Sequence, residues 1–372
     1  MASLFDYLTW RGDISFSQVT VNPVDALIFS ALSYISYGNM VEKEPLTPVT
    51  LKEAAEAFFA LEDHEERVRV KSDLQLLHQA AVSRRFGTAK ICMCRDELIP
   101  EQETQFAAMT FLLDDGSAFI AFRGTDYSLV GWKEDFNMSF QQTVPAQRLG
   151  VQYVREVAAE YALPLRIGGH SKGGNVAVFA AARSSPMVQE RILEIYNNDG
   201  PGFTKYMMGD PGYLAMVPKI RTYVPQSSVI GMLLEHEEAY TVVKSKTISL
   251  LQHDFYSWEV QGPGFITVNE VTEDSLFLDA TIKTWFAEMS NQERNQLVDV
   301  MFTLLGTGGV DNALEIFQPK NIRTYLKTIS SDAGLRRLLS EEFQSLIEAA
   351  KKTRTRFEEE RFALEEGTGE EQ

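Results

Sequence analysis

Two cysteines in a chain of 372 residues leave no disulfide framework, so the fold has to rest on its apolar core. Cys92 and Cys94 alternate along an expected strand, which points both thiols to one face. Same-face thiols two residues apart are poorly placed to bridge, and with no histidine nearby they make a poor metal site, which leaves them to core packing. Long apolar runs are also missing: no stretch reaches the eighteen or so uncharged residues that a bilayer-spanning helix needs. The opening Met1-Ala2-Ser3-Leu4-Phe5-Asp6-Tyr7 lacks the basic segment and apolar run of a secretory signal. A soluble, cytoplasmic protein is therefore expected. Positive charge is scarce as well. With 35 Lys and Arg against 52 Asp and Glu, the formal net charge is −17, which argues against nucleic acid or anionic lipid as a partner through bulk charge. Peripheral membrane contact through a local basic patch stays open. Gly306 to Gly309 has neither the lysine nor the preceding strand of a phosphate-binding loop, and no cofactor or metal is expected.

What the chain does have is apolar content of 44%, enough for one large α/β domain and an appendage. Residues 23–37 read as a buried helix. Thr50-Leu51-Lys52-Glu53 is a capping box that opens a second, and residues 64–84 read as a third. Strands are then expected at 90–97 and 105–113, with Asp114-Asp115-Gly116 turning the chain into a returning strand at 117–122. Helices and apolar strands alternate from there, through 220–224 and 240–243, the pattern of a sheet covered on both faces. Beyond about Thr267 the pattern is helical, with Ser290-Asn291-Gln292-Glu293 as another capping box. Glu358-Glu359-Glu360 and Glu365-Glu366 suggest a solvated helix end fraying into an acidic tail.

The most informative stretch is Leu165-Arg166-Ile167-Gly168-Gly169-His170-Ser171-Lys172-Gly173-Gly174-Asn175, a short apolar run, then G-x-S-x-G, then a helix of small residues. It has the form of a nucleophile elbow. A serine on a tight strand-to-helix turn needs neighbours without a Cβ, which Gly169 and Gly173 supply. Ser171 would then sit at a helix N-terminus, where N–H groups and the dipole favour the negative charge that develops in acyl transfer.

A second constellation, Phe119-Ile120-Ala121-Phe122-Arg123-Gly124-Thr125-Asp126 followed by Trp132-Lys133-Glu134-Asp135, makes the pattern specific. A strand ending in F-R-G-T, a tryptophan with an aspartate three residues on, and then G-H-S-x-G-G resemble the class 3 lipases of the α/β-hydrolase fold, over about residues 107–260. The resemblance implies that Thr125 gives a side-chain and a backbone donor to an oxyanion hole, completed by the Lys172 N–H, and that the following segment is a lid. Thr125 as a plain helix cap is the competing reading. Arg123 and Asp135 match family positions too, and a bidentate pair orienting a loop is the role expected of them. Leu129, Val130 and Trp132 could flap over an acyl chain or lie in the core.

The base must follow the nucleophile in the chain. His253, in Gln252-His253-Asp254-Phe255, resembles the family's catalytic-histidine loop. His236 resembles a non-catalytic histidine, and the carboxylates around it should hold it as a surface imidazolium. The acid is where the chain departs from the family. By spacing, the family's aspartate falls at Ser227 or Ser228, and neither can carry charge; Ser228 is expected to be dispensable. Asp199, at the end of the preceding apolar strand, could reach the same imidazole, since adjacent strands lie only about 5 Å apart. It could equally brace the Gly200 to Gly202 turn. Lys172, a cation opposing a helix dipole, invites either Asp126 or a nearby glutamate, or an acidic group on a substrate.

These readings converge on an α/β-hydrolase fold with a mostly parallel central sheet and N-terminal helices over residues 1–267, and a helical C-terminal extension over 268–372. The expected activity is serine-dependent cleavage of a small-molecule carboxylic ester, lipid-like esters favoured, by Ser171, Asp199 and His253, with Thr125 and Lys172 at the oxyanion. The alternative is a hydrolase-fold protein that has lost activity and serves as a binding module or scaffold.

Overall fold

The computed structural model describes residues 2–37 and 47–367. The tail beyond residue 367, read above as acidic and fraying, lies outside them. Eight strands form the main sheet in chain order, β1 (Val49–Thr50), β2 (Lys90–Ile99), β3 (Thr104–Leu112), β4 (Ala118–Phe122), β5 (Leu165–His170), β6 (Ile192–Asn198), β7 (Ile220–Pro225) and β8 (Tyr240–Val243). The first four pair antiparallel, β2–β3 and β3–β4 through short connections and β1–β2 across the helical segment 51–87. From β4 to β8 every pairing is parallel; the returns from β4 to β7 pass through helices, and the return from β7 to β8 is a loop. This is an α/β-hydrolase fold with a mostly parallel central sheet.

Parallel strands are buried on both faces, so they read as continuous apolar runs; all six residues of β5 are buried. One face packs on the helices Pro145–Glu160 and Lys172–Ala182. The other packs on the N-terminal helices Leu4–Arg11, Pro23–Leu32, Leu51–Phe59 and Lys71–Val82. Those helices are tied together by a buried fork. Arg85 holds both carboxylate oxygens of Asp25, at 2.8 and 2.6 Å, and Tyr7 donates to the same carboxylate at 2.7 Å.

Two expectations need correction. The helix read over 64–84 is broken: His64–Arg67 is a short 3-10 turn, and the α-helix starts only at Lys71. Extended Val70 precedes it, where Asp73 turns back to accept the Arg69 and Val70 N–H groups. Cys92 and Cys94 also do not share a face. Met93 adopts φ 52° and the β2–β3 register slips between Cys92 and Arg95. This bulge turns Cys92 to the core under Pro145–Glu160 and Cys94 to the core under the N-terminal helices.

The chain divides into two compact units, one of residues 1–126 with 130–271, the other of Tyr127–Leu129 with 272–372. The second is built from Glu273–Ala287, Asn291–Leu305, Pro319–Ser331 and Ala333–Gly367. Ser290 caps its helix by exchanging hydrogen bonds with Glu293, as the sequence pattern requires. The short excursion Tyr127–Leu129 pairs there with residues 311–313, the Leu129 N–H reaching Asp311 O at 2.9 Å. No helix among the described residues is long and apolar enough to cross a membrane.

Candidate active site

Ser171 sits at the turn between β5 and the Lys172–Ala182 helix with φ 57°, a conformation that costs a non-glycine residue free energy and marks functional turns. The flanking glycines are required by close approach. A Cβ on Gly169 would fall 2.2 Å from the Gly173 backbone, and one on Gly173 would fall 2.2 Å from the Phe122 carbonyl oxygen. The elbow can therefore close only with glycine on both sides. The Arg123 to Thr125 loop runs alongside: a Cβ on Gly124 would lie 2.5 Å from His170 O and 3.1 Å from the Ser171 Cβ.

Asp199 follows β6 with φ 52° and is fully buried. Its Oδ2 meets His253 Nδ1 at 2.6 Å, while its Oδ1 accepts from the Ser228 hydroxyl at 2.5 Å and from the Gly231 N–H at 3.2 Å. The Gly200 to Gly202 turn, the competing task for Asp199, is served by Asn197, whose Oδ1 accepts the Gly200 N–H at 3.0 Å. An imidazole whose Nδ1–H is held by a buried carboxylate presents a bare Nε2, the form a general base needs. The His253 side chain keeps 29% of its surface accessible. Among the described residues the Ser171 hydroxyl makes no hydrogen bond to it, and such contacts often close only when substrate is bound.

His170 lies beneath this pair. Its ring lies against that of His253, with centroids 4.5 Å apart and planes tilted by 37°. Its Nε2 faces the His253 carbonyl oxygen at 2.9 Å and so carries the proton, leaving Nδ1 to accept from the Tyr34 hydroxyl at 3.0 Å. Burial, then the neighbouring His253 and Arg69, hold the His170 pKa well below the usual range for histidine. A neutral ring against His253, fixed by a tyrosine from the N-terminal segment, holds that imidazole and its carbonyl in place without competing for charge.

The polar groups around Thr125 differ from expectation. Its hydroxyl donates to Asp135, at 2.7 and 2.6 Å to the two carboxylate oxygens, so the side chain is tethered and it is the backbone N–H that stays open. Neither the Thr125 nor the Lys172 N–H is taken by a carbonyl among the described residues. Burial pushes the Asp135 carboxyl up to about 6, against the pull of Lys172 and the Thr125 hydrogen bond. The Arg123–Asp135 pair does not form; Arg123 forks instead onto Asp96 at 2.8 and 2.7 Å.

Lys172 is buried, and its ammonium is spent inside the protein on Gln105 O, Gln105 Oε1 and Glu134 Oε2 at 2.9, 2.7 and 3.0 Å. It offers nothing to a substrate anion. Glu134 also accepts the Gln105 and Ala146 N–H groups, so one carboxylate joins β3, the elbow and the start of Pro145–Glu160. Glu134→Ala, which strands the ammonium, should lower stability by roughly 3–5 kcal/mol, visible as a large fall in Tm.

His236 is also corrected. It does not lie at the surface: only 9% of its side chain is accessible, with Nε2 at 2.8 Å from Gly231 O and Nδ1 at 3.2 Å from Glu238. Burial raises Glu238, but His236, Tyr213 and Thr222 outweigh it and bring it down to about 2. This cluster braces the Gly231 loop that in turn holds Asp199. Of the expected flap, Leu129 is buried and Trp132 is exposed, both in or at the start of the helix Leu129–Asn137.

The family model described as Mbeg1-like matches residues 80–303, over half of the chain. The chain belongs to the Mbeg1-like family. No curated protein matches it significantly. Similar solved structures include a mutant form of MDLA from Penicillium cyclopium, 12% identical over 67% of this chain and 86% of that one, with a TM-score of 0.38. A fungal lipase is 10% identical over the same shares with the same score. The Rhizomucor miehei lipase–propeptide complex is 16% identical over 60% of this chain and 68% of that one, with a TM-score of 0.34. The roles argued for this Mbeg1-like chain rest on its own geometry. Sequence reasoning missed Ser228, Gly231, His170 and Tyr34. Spacing marks Ser228 only as a position where the family's aspartate falls, yet a hydroxyl one strand from Asp199 is a natural donor to its carboxylate; nothing in the sequence marks Tyr34.

Proposed function

We propose that this protein is a serine hydrolase that cleaves a carboxylic ester, with lipid-like acyl esters favoured, through a covalent acyl-enzyme. The reading is carried by the 2.6 Å contact between His253 Nδ1 and Asp199, at the end of the strand paired with β5, whose own end leads into a serine held at φ 57° on a glycine-flanked elbow. Ser171 attacks the carbonyl carbon, and His253 takes its proton and returns it to the leaving alkoxide. Asp199 holds the imidazole and stabilises its charged form. The oxyanion is received by the Thr125 and Lys172 N–H groups, with the Thr125 side chain acting as an anchor for its loop. Water then repeats the sequence on the acyl-enzyme.

The missing hydrogen bond between Ser171 and His253 favours a second reading, a hydrolase-fold binding protein without turnover. A fluorophosphonate probe separates the two, because labelling of Ser171 needs an activated hydroxyl and a working oxyanion hole. The decisive assay is turnover of p-nitrophenyl esters of increasing chain length, where no activity at any length would leave the binding reading in place.

Thr125→Val tests the anchor. Removing one direct oxyanion donor costs about 10²–10³ in kcat. Loss of a tether that leaves the amide in the chain should cost less, roughly tenfold. Thr125→Ser, which keeps the hydroxyl, should recover most of that loss, with Tm measured alongside to separate loop positioning from folding.

A further inference from the structure

The helix Pro319–Ser331 carries three cations, Lys320, Arg323 and Lys327, and no carboxylate, in a chain whose formal net charge is −17. Its buried side is fixed within its own unit: the Asn321 amide donates to Glu315 O at 2.8 Å and the Tyr325 hydroxyl to Leu305 O at 3.1 Å. The adjoining side, about 100° around the helix, holds Ile322 and Leu326, four residues apart and hence stacked, which are 41% and 59% exposed. Arg323 and Lys327 follow each by one position and form a parallel cationic strip beside them. Just ahead of the helix, Leu314 and Phe317 are 63% and 79% exposed. Lys320 has Glu315 at 3.9 Å, an exposed pair worth little, and Asp332 caps the far end. Among the described residues Arg323 and Lys327 make no ion pair.

Apolar side chains that water would rather expel, edged by cations on a short helix, fit an interface between hydrocarbon and phosphate. We propose that the Pro319–Ser331 helix and the preceding Phe317 turn dock the protein on an anionic bilayer surface. Phe317, Leu314, Ile322 and Leu326 enter the acyl boundary, and Lys320, Arg323 and Lys327 meet lipid phosphates. The choice of an anionic surface follows from charge complementarity: this helix presents cations with no carboxylate among them, whereas Arg337, Lys351, Lys352 and Arg354 of the following helix are each paired with a glutamate. The proposal does not depend on the hydrolase reading, since binding is read without turnover.

The test is sedimentation of the full chain with vesicles of phosphatidylcholine alone and of phosphatidylcholine with phosphatidylglycerol. Binding is expected to the mixed vesicles, weakening as salt rises. Each cation near the surface contributes roughly fivefold, so Lys320→Glu with Arg323→Glu and Lys327→Glu should weaken binding by about 10²-fold or more. Phe317→Ser with Leu326→Ser should abolish it, with unchanged circular dichroism in both variants. Failure of the wild-type chain to sediment with mixed vesicles overturns the proposal, as does binding that the charge reversals leave unchanged. Self-association without vesicle binding, removed by the same substitutions, would assign this face to a second copy of the chain and would overturn it too.

Discussion

Ser171→Ala should abolish ester turnover while leaving the fold intact. Where nucleophile, base and acid act as a unit, removing the nucleophile alone costs on the order of 10⁶ in kcat. The fold should survive because the Ser171 hydroxyl makes no hydrogen bond among the described residues, so its loss strands no partner. Alanine also adds no atom to the elbow, where Gly169 and Gly173 leave no spare room. The substitution keeps the strained φ of 57°, a cost both variants bear alike. Measurement pairs p-nitrophenyl ester turnover with Tm, and turnover in Ser171→Ala equal to that of the wild type would remove the hydrolase reading altogether.

The elbow was legible because its constraints are local. Glycine on either side of a serine between an apolar run and a small-residue helix has one economical geometry, and β5 with its following helix adopt it. The sheet was legible for a similar reason, since a run such as residues 118–122 is apolar enough to need cover on both faces. Long-range polar pairing was not. Lys172 and Glu134 lie 38 positions apart and Arg123 and Asp96 lie 27 apart; local spacing cannot say which of several carboxylates a buried cation will meet. The bulge at Met93 was invisible too. A positive φ at methionine follows from the β2–β3 register, and propensity argues against it. The Tyr127–Leu129 excursion into the helical unit likewise depends on pairing with residues nearly two hundred positions away.

Asp199→Asn should depress kcat by about 10⁴ near neutral pH, and the surroundings of Asp199 give the reason. Its Oδ1 faces two donors, the Ser228 hydroxyl at 2.5 Å and the Gly231 N–H at 3.2 Å. An asparagine would therefore turn its carbonyl oxygen to them and its NH₂ to His253. Donors facing His253 Nδ1 force the proton onto Nε2, and a base protonated at Nε2 cannot take the serine proton. The amide also cannot stabilise the imidazolium. Folding should be little affected, because the Gly200 turn is held by Asn197. Ser228, expected from the sequence to be dispensable, becomes a positioning residue: Ser228→Ala removes a hydrogen bond to a charged group but leaves the Gly231 donor, so a loss of roughly tenfold is expected. Because Ser228 acts through Asp199, the two losses should not add, and Ser228→Ala should change kcat far less in the Asp199→Asn background than in the wild type. Measuring kcat for the two single variants and the double variant at several pH values separates orientation of His253 from general weakening of the site. Activity of Asp199→Asn within tenfold of wild type would remove Asp199 from the role of acid, leaving Ser171 and His253 to be completed by another carboxylate.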